Sequence, residues 1–196
     1  TIGLQAREPG LEARPFIDRV LIVPNVNIYA RGNGHEYICT LKRLIDSFRS
    51  SGKEVGGLVH DTGKDREIFN LLNNQGCSLP VLDGLDGLQS KWLIGKSSAV
   101  VSGRFHATVS ALSQGIPTVI HGWSHKYEHL ANDFDVSGLL ASPYDVDDSM
   151  RSYSEVVENG EIKSRLDKRK PGLVEGVEKM WDEVQSVISA SRNGAV

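Results

Sequence analysis

An arginine and a histidine stand two residues apart in Ser102-Gly103-Arg104-Phe105-His106-Ala107, where the apolar run Val100-Val101 gives way to a helical pattern ending near Leu112. A helix that opens at such a turn directs its unpaired N–H groups and the positive end of its dipole toward the mouth of a sheet, which makes an anion site. Arg104 adds a fork-shaped charge suited to phosphate or carboxylate. His106 adds the side chain best able to exchange a proton near neutrality. A lone arginine at a helix start opposes the dipole unless an anion offsets it, so Arg104 is read as an anion ligand in preference to a brace for the turn. Phe105 reads as core.

Other residues invite chemistry less directly. Lys126 falls at the start of a helix after the last strong apolar strand, within reach of the same rim. His121, His125 and His129 recur every four residues and raise a zinc site. Gly122 breaks that spacing, however, and no cysteine or carboxylate completes the set, so no metal is expected. Arg31-Gly32-Asn33-Gly34 could cradle a phosphate, but Tyr37 occupies the place of the third glycine in the dinucleotide fingerprint. Walker spacing is absent, and Ser102 lacks the glycine pattern of a nucleophile elbow. NAD, ATP and serine hydrolysis are therefore disfavoured, and no cofactor is expected.

The elements that must position these residues alternate. Val20–Val23, Val55–His60, Pro80–Leu82, Ala99–Ser102 and Thr118–His121 are short apolar runs that suit strands buried on both faces. Between them lie helical spacings: Tyr37, Leu41, Leu44, Ile45 and Phe48; Ile68, Leu71 and Leu72; Leu85, Leu88 and Trp92; Phe105, Val109 and Leu112. Strand–helix alternation with short connections predicts a Rossmann-like α/β fold, a parallel sheet with helices on both faces. Ligands of such sheets bind at the carboxyl ends of the strands. Asn25, Asn27 and 31–34 follow the first strand, His60 and Asp61 the second, Ser102 to His106 the fourth, and His121 to Lys126 the fifth. From about Tyr144 to the end the chain is charged and helical, and Val177, Trp181, Val184 and Ile188 share one face, so this tail is expected to pack across the domain, with 192–196 frayed. Residues 1–18, with Pro9, Gly10 and Pro15, read as a linker or incoming connection to a domain over 19–196.

Composition bounds the partners. The 196 residues are 39% hydrophobic and 24% charged, with a formal net charge of −3. That describes one globular domain plus appendages, without general affinity for nucleic acid or anionic lipid. No run is long enough for a transmembrane segment. Two cysteines, Cys39 and Cys77, show no framework or metal spacing, and residues 1–15 lack the basic start and apolar centre of a secretory signal, so a cytoplasmic location is expected.

Ser102-Gly103-Arg104-Phe105-His106-Ala107, followed by Ser110-Ala111-Leu112-Ser113-Gln114-Gly115-Ile116-Pro117 and by Gly122-Trp123-Ser124-His125-Lys126-Tyr127, resembles the polysaccharide pyruvyl transferase family. The likeness extends over about Val20 to Phe134. It implies the donor-binding half of a two-domain fold like that of GT-B glycosyltransferases. It implies transfer of the enolpyruvyl carbons of phosphoenolpyruvate to two sugar hydroxyls as a ketal, with release of phosphate. By that resemblance Arg104 would hold the donor's phosphate or carboxylate and His106 would be the acid–base residue. Ser102, Gly103 and the backbone near Phe105 would line the donor site, and Lys126 would contribute a charge. A further donor arginine would be Arg7 or Arg31. Family members run to roughly twice this length, of which a compact domain of typical size accounts for one half, so an amino-terminal domain or a partner chain would bind the saccharide acceptor. The alternatives are the donor domain of a nucleotide-sugar glycosyltransferase and a non-catalytic binding domain of the same fold.

Overall fold

The computed structural model describes residues 2–61 and 63–193. Six strands, β1 (Val20–Val23), β2 (Val55–Leu58), β3 (Val81–Leu82), β4 (Ala99–Ser102), β5 (Thr118–His121) and β6 (Leu140–Ala141), form one sheet in the order β3-β2-β1-β4-β5-β6. Every pairing is parallel. The expected Rossmann-like α/β architecture is therefore present, and the strand order reverses between β1 and β4, where such folds open a ligand crevice.

Alternate side chains of the strands feed two cores. Val20, Ile22, Val101 and Val119 face one core with Tyr37, Leu41, Leu44 and Phe48 of α2 (Gly34–Ser50) and with α3 (Arg66–Asn74) and α6 (His125–Asp133). Leu21, Val23, Leu58 and Val100 face the other, against Leu93 and Ile94 of α4 (Gly87–Ile94) and Ala107 and Ala111 of α5 (Phe105–Leu112). The two glycines that weaken the strand signal in β2 leave room for rings: a Cβ on Gly56 would meet Phe16, and one on Gly57 would lie 2.5 Å from Phe69. The helix after β1 comes in two pieces. A short α1 (Val26–Arg31), capped by the Asn25 side chain on the Asn27 N–H, precedes α2, whose Asn33 cap accepts from the Glu36 N–H. The helical spacing begins only at Tyr37, four residues past the second cap, so the break between the two pieces lies outside it.

The carboxyl-terminal part departs from expectation. β6 and α7 (Val146–Glu158) join the core through Ala141, Ser149, Ser152 and Val156, and α8 (Ile162–Asn193) contributes Ile162 and Leu166. The face marked by Trp181, Val184 and Ile188 does not pack across the domain: these residues are 55%, 38% and 49% exposed. A helix of 32 residues spans about 48 Å, more than the ~30 Å diameter of a small domain, so its distal turns run past the sheet. In the stretch read as an incoming connection, Leu11–Phe16 makes a 3-10 turn with Ala13 and Phe16 buried. The end expected to fray is helical to Asn193. Thr1 and residues 194–196 lie outside the described residues. Among the described residues no helix is long and apolar enough to cross a membrane.

Candidate active site at the switch point

Gly103 is the pivot. Its carbonyl oxygen accepts hydrogen bonds from Asn25 Nδ2 (2.9 Å), Tyr127 Oη (2.7 Å) and Trp123 Nε1 (3.3 Å), so one oxygen ties the loops after β1, β4 and β5 together. A Cβ at this position would lie 2.6 Å from Ile28 Cδ1, which explains why a glycine stands here. Ser102, fully buried, shapes the turn from within: its hydroxyl accepts from the Arg104 N–H (3.1 Å) and donates to the Arg104 carbonyl (3.0 Å). Asn25 is fixed in turn, because its N–H donates to Tyr37 Oη (3.1 Å). Burial first of all holds both phenols protonated: Tyr37 is raised well above the ordinary tyrosine value and Tyr127 is pushed up to about 12.

Arg104 is the N-cap residue of α5, and its side chain turns back across the rim. Nε and Nη2 donate to both oxygens of Asp65 (2.9 and 2.5 Å), and Nη1 stands 3.0 Å from Asp61 Oδ2. The Asp65 side chain has no exposed surface, that of Arg104 is 15% exposed and that of Asp61 50%. Burial alone would lower the guanidinium pKa, but the hydrogen bonds and charges of Asp65 and Asp61 outweigh it and the net shift is upward. Asp65 also accepts from the backbone N–H groups of Val26 (3.0 Å) and Asp61 (3.2 Å), joining the loops after β1, β2 and β4. The anions that balance this arginine at a helix start are the protein's own. Its position made Asp65 easy to overlook, since an aspartate just before a helix reads as a cap, and here its side chain makes no cap hydrogen bond to α3.

His106 lies exposed in the first turn of α5, its ring edge-on to Phe105 at 6.0 Å. It edges a cavity of about 290 Å³ lined by Phe105, Val109, Leu130, Phe134, Leu173 and others. Burial first, then the charge of the Arg104 guanidinium, lowers the pKa of His60, which follows β2. On the other side of the turn Lys126, in the first turn of α6, sits with Nζ 4.9, 5.6 and 5.5 Å from the ring centres of Phe105, Trp123 and Tyr127. Arg31, at the end of α1, stands 5.8 Å over Trp123. Ser124, the N-cap of α6, keeps its hydroxyl oxygen buried without a hydrogen-bond partner. Arg31 thus joins the rim cluster. Arg7 does not: it pairs with Asp86 at the start of α4.

The three spaced histidines separate. His121 is buried, with Nε2 3.2 Å from Ser149 Oγ, whose hydrogen is directed to the Ser142 carbonyl; Nε2 therefore carries the proton and Nδ1 faces no partner. Burial lowers its pKa to about 3. His125 and His129 meet ring to ring at 6.0 Å on the exposed face of α6.

Comparisons with known proteins bear on the fold and the family. The chain covers 93% of its length on the E. coli trehalose-6-phosphate structure bound with UDP-2-fluoro glucose (TM-score 0.63, 14% identity), taking in 47% of that chain. It matches the Neisseria meningitidis UDP-GlcNAc 2-epimerase bound to UDP-GlcNAc over 86% of its own length and 47% of that chain (TM-score 0.56, 17% identity). An S. aureus MnaA–UDP structure gives a TM-score of 0.58 at 10% identity, over 91% and 50%. The chain therefore spans about half the length of the solved structures it matches, and at these identities the likeness establishes a fold resembling one half of a GT-B protein. No curated protein matches it by sequence. The family model for polysaccharide pyruvyl transferases matches residues 16–125, more than half of the chain, from the 3-10 turn before β1 through the Arg104–His106 turn to the start of α6. By that match the chain belongs to the polysaccharide pyruvyl transferase family.

Proposed function

We propose that this chain is the donor-binding half of a pyruvyl transferase, taking phosphoenolpyruvate and passing its enolpyruvyl carbons to two hydroxyls of a saccharide. The observation that carries the reading is the gathering of Arg104, His106, Lys126 and Arg31 around the Gly103 turn, at the crevice where the strand order reverses. Arg104, Lys126 and Arg31 hold the phosphate and carboxylate of the donor. The start of α6, with the unpartnered Ser124 hydroxyl, adds backbone and hydroxyl donors to the same side. Such fixed charges stabilise a trianion with little reorganisation.

His106 acts as general acid and base. Its imidazolium protonates the methylene carbon of the donor, the enol C=C bond is consumed, and a sugar hydroxyl attacks the oxocarbenium-like carbon and returns a proton to the imidazole. The second hydroxyl then displaces phosphate from the same carbon, and its proton leaves with the phosphate. A positioned acid of this kind contributes about 10²–10⁴ in rate. The acceptor is bound by a second domain or partner chain, and the reaction runs in the cytoplasm without a cofactor.

Calorimetry with phosphoenolpyruvate and uridine nucleotides side by side tests the reading. Phosphoenolpyruvate is expected to bind more tightly; tighter uridine nucleotide binding would overturn it in favour of a nucleotide-sugar donor site. With the acceptor half supplied, His106→Ala is expected to retain donor binding and to abolish phosphate release.

A further inference from the structure

Arg104 meets two carboxylates that differ in every respect that matters for ligand binding. Asp65 is fully buried, accepts from four donors and grips the guanidinium through Nε and Nη2. Asp61 is half exposed, stands on the short loop between β2 and α3, and takes only Nη1. Two negative charges therefore face one guanidinium, and an anion approaching from the crevice meets a net negative cluster. Nη1 is the nitrogen whose partner can leave: Asp61 can rotate into water, whereas releasing Asp65 would strand a buried carboxylate.

We propose that Asp61 is an internal stand-in for the donor's anionic group, occupying the outer guanidinium nitrogen in the empty site and yielding it when a phosphate- or carboxylate-bearing ligand enters. Asp65 is the positioning residue that keeps the guanidinium in place throughout. The inference rests on the donor reading above, in that Arg104 must receive the ligand's anion. Its consequence is an affinity threshold. Displacing Asp61 weakens every ligand that needs the outer guanidinium nitrogen by the same factor, so only one that also engages Lys126 and Arg31 binds at low concentration.

The experiment is calorimetric titration of the wild-type chain, Asp61→Asn and Asp61→Ala with phosphoenolpyruvate and, separately, inorganic phosphate, with Asp83→Asn as a control on a carboxylate paired elsewhere, with Arg66. Removing the competing charge is expected to tighten both ligands by a similar factor, about three- to tenfold; the control stays at the wild-type value. Unchanged affinity in both Asp61 variants overturns the displacement while leaving the donor reading intact. Weaker binding in both makes Asp61 a ligand contact and also overturns it. If phosphoenolpyruvate binds neither wild type nor variants, the donor reading itself fails. As a second readout, the guanidinium nitrogen resonances of Arg104 in wild-type protein saturated with phosphoenolpyruvate are expected to lose the Asp61 contact and keep the Asp65 one. Retention of both contacts would sink the proposal.

Discussion

Two cationic clusters share the rim of the sheet and are satisfied in opposite ways. Arg104 is nearly buried and neutralised by Asp65 and Asp61, whereas Lys126 and Arg31 are exposed and lie against the faces of Phe105, Trp123 and Tyr127. A carboxylate cancels a charge. An aromatic face attracts the cation by roughly 0.5–1 kcal/mol at exposed sites and leaves its field available to a ligand. The first cluster therefore ties the rim together and leaves only the Asp61 side of its guanidinium to a ligand, while the second presents its charge to the crevice, although both are built from the same kinds of residue on loops of one rim.

Substitutions can break or sharpen that contrast. The largest effect is expected from Arg104→Ala, which strands the buried Asp65 carboxylate and should cost about 3–5 kcal/mol in chemical denaturation. A loss near zero would show that the pair does not brace the fold. The pH dependence of stability extends the test to a third buried group. His121, with its pKa lowered to about 3 by burial, is neutral when folded and takes up a proton on unfolding below about pH 6.5. Stability is therefore full above that pH and falls toward pH 3 by up to about 1.4 kcal/mol per pH unit. His121→Gln should flatten this slope, and an unchanged slope would assign acid sensitivity to other groups. Tyr127→Phe removes one of the three donors to the Gly103 carbonyl and should cost about 1 kcal/mol of stability, since Asn25 and Trp123 still satisfy that oxygen. The smallest stability change is expected for Lys126→Gln, within about 0.5 kcal/mol, yet phosphoenolpyruvate affinity measured by calorimetry should fall about tenfold. If Lys126→Gln unfolds the protein or leaves affinity unchanged, the division of labour between the clusters is wrong.

The strands were legible because parallel sheets bury both faces of each strand, and runs such as Val20-Leu21-Ile22-Val23 have one reading. β6 was not, since its two residues, Leu140 and Ala141, carry no period at all. The distal face of α8 misled for a different reason: helical spacing reports which residues share a face, not whether anything covers it. At the site, the Arg104–His106 turn stood out from residue type and from its place between strand and helix. The partners of Arg104 did not. Asp61 and Asp65 lie 43 and 39 positions away in sequence, in a polar loop edge where carboxylates are ordinary. The rim position of Arg31, as against Arg7, likewise came only from the short α1 helix, which ends beside Trp123.

The triply bonded Gly103 carbonyl has a mechanical consequence. Because Asn25, Trp123 and Tyr127 all pull on one oxygen, the crevice has a rigid floor that a guest molecule cannot remould. Accommodation falls to the swivelling walls, the side chains of Asp61, Lys126 and Arg31, so guests of different shape will be told apart by rotamers while the main chain stays still.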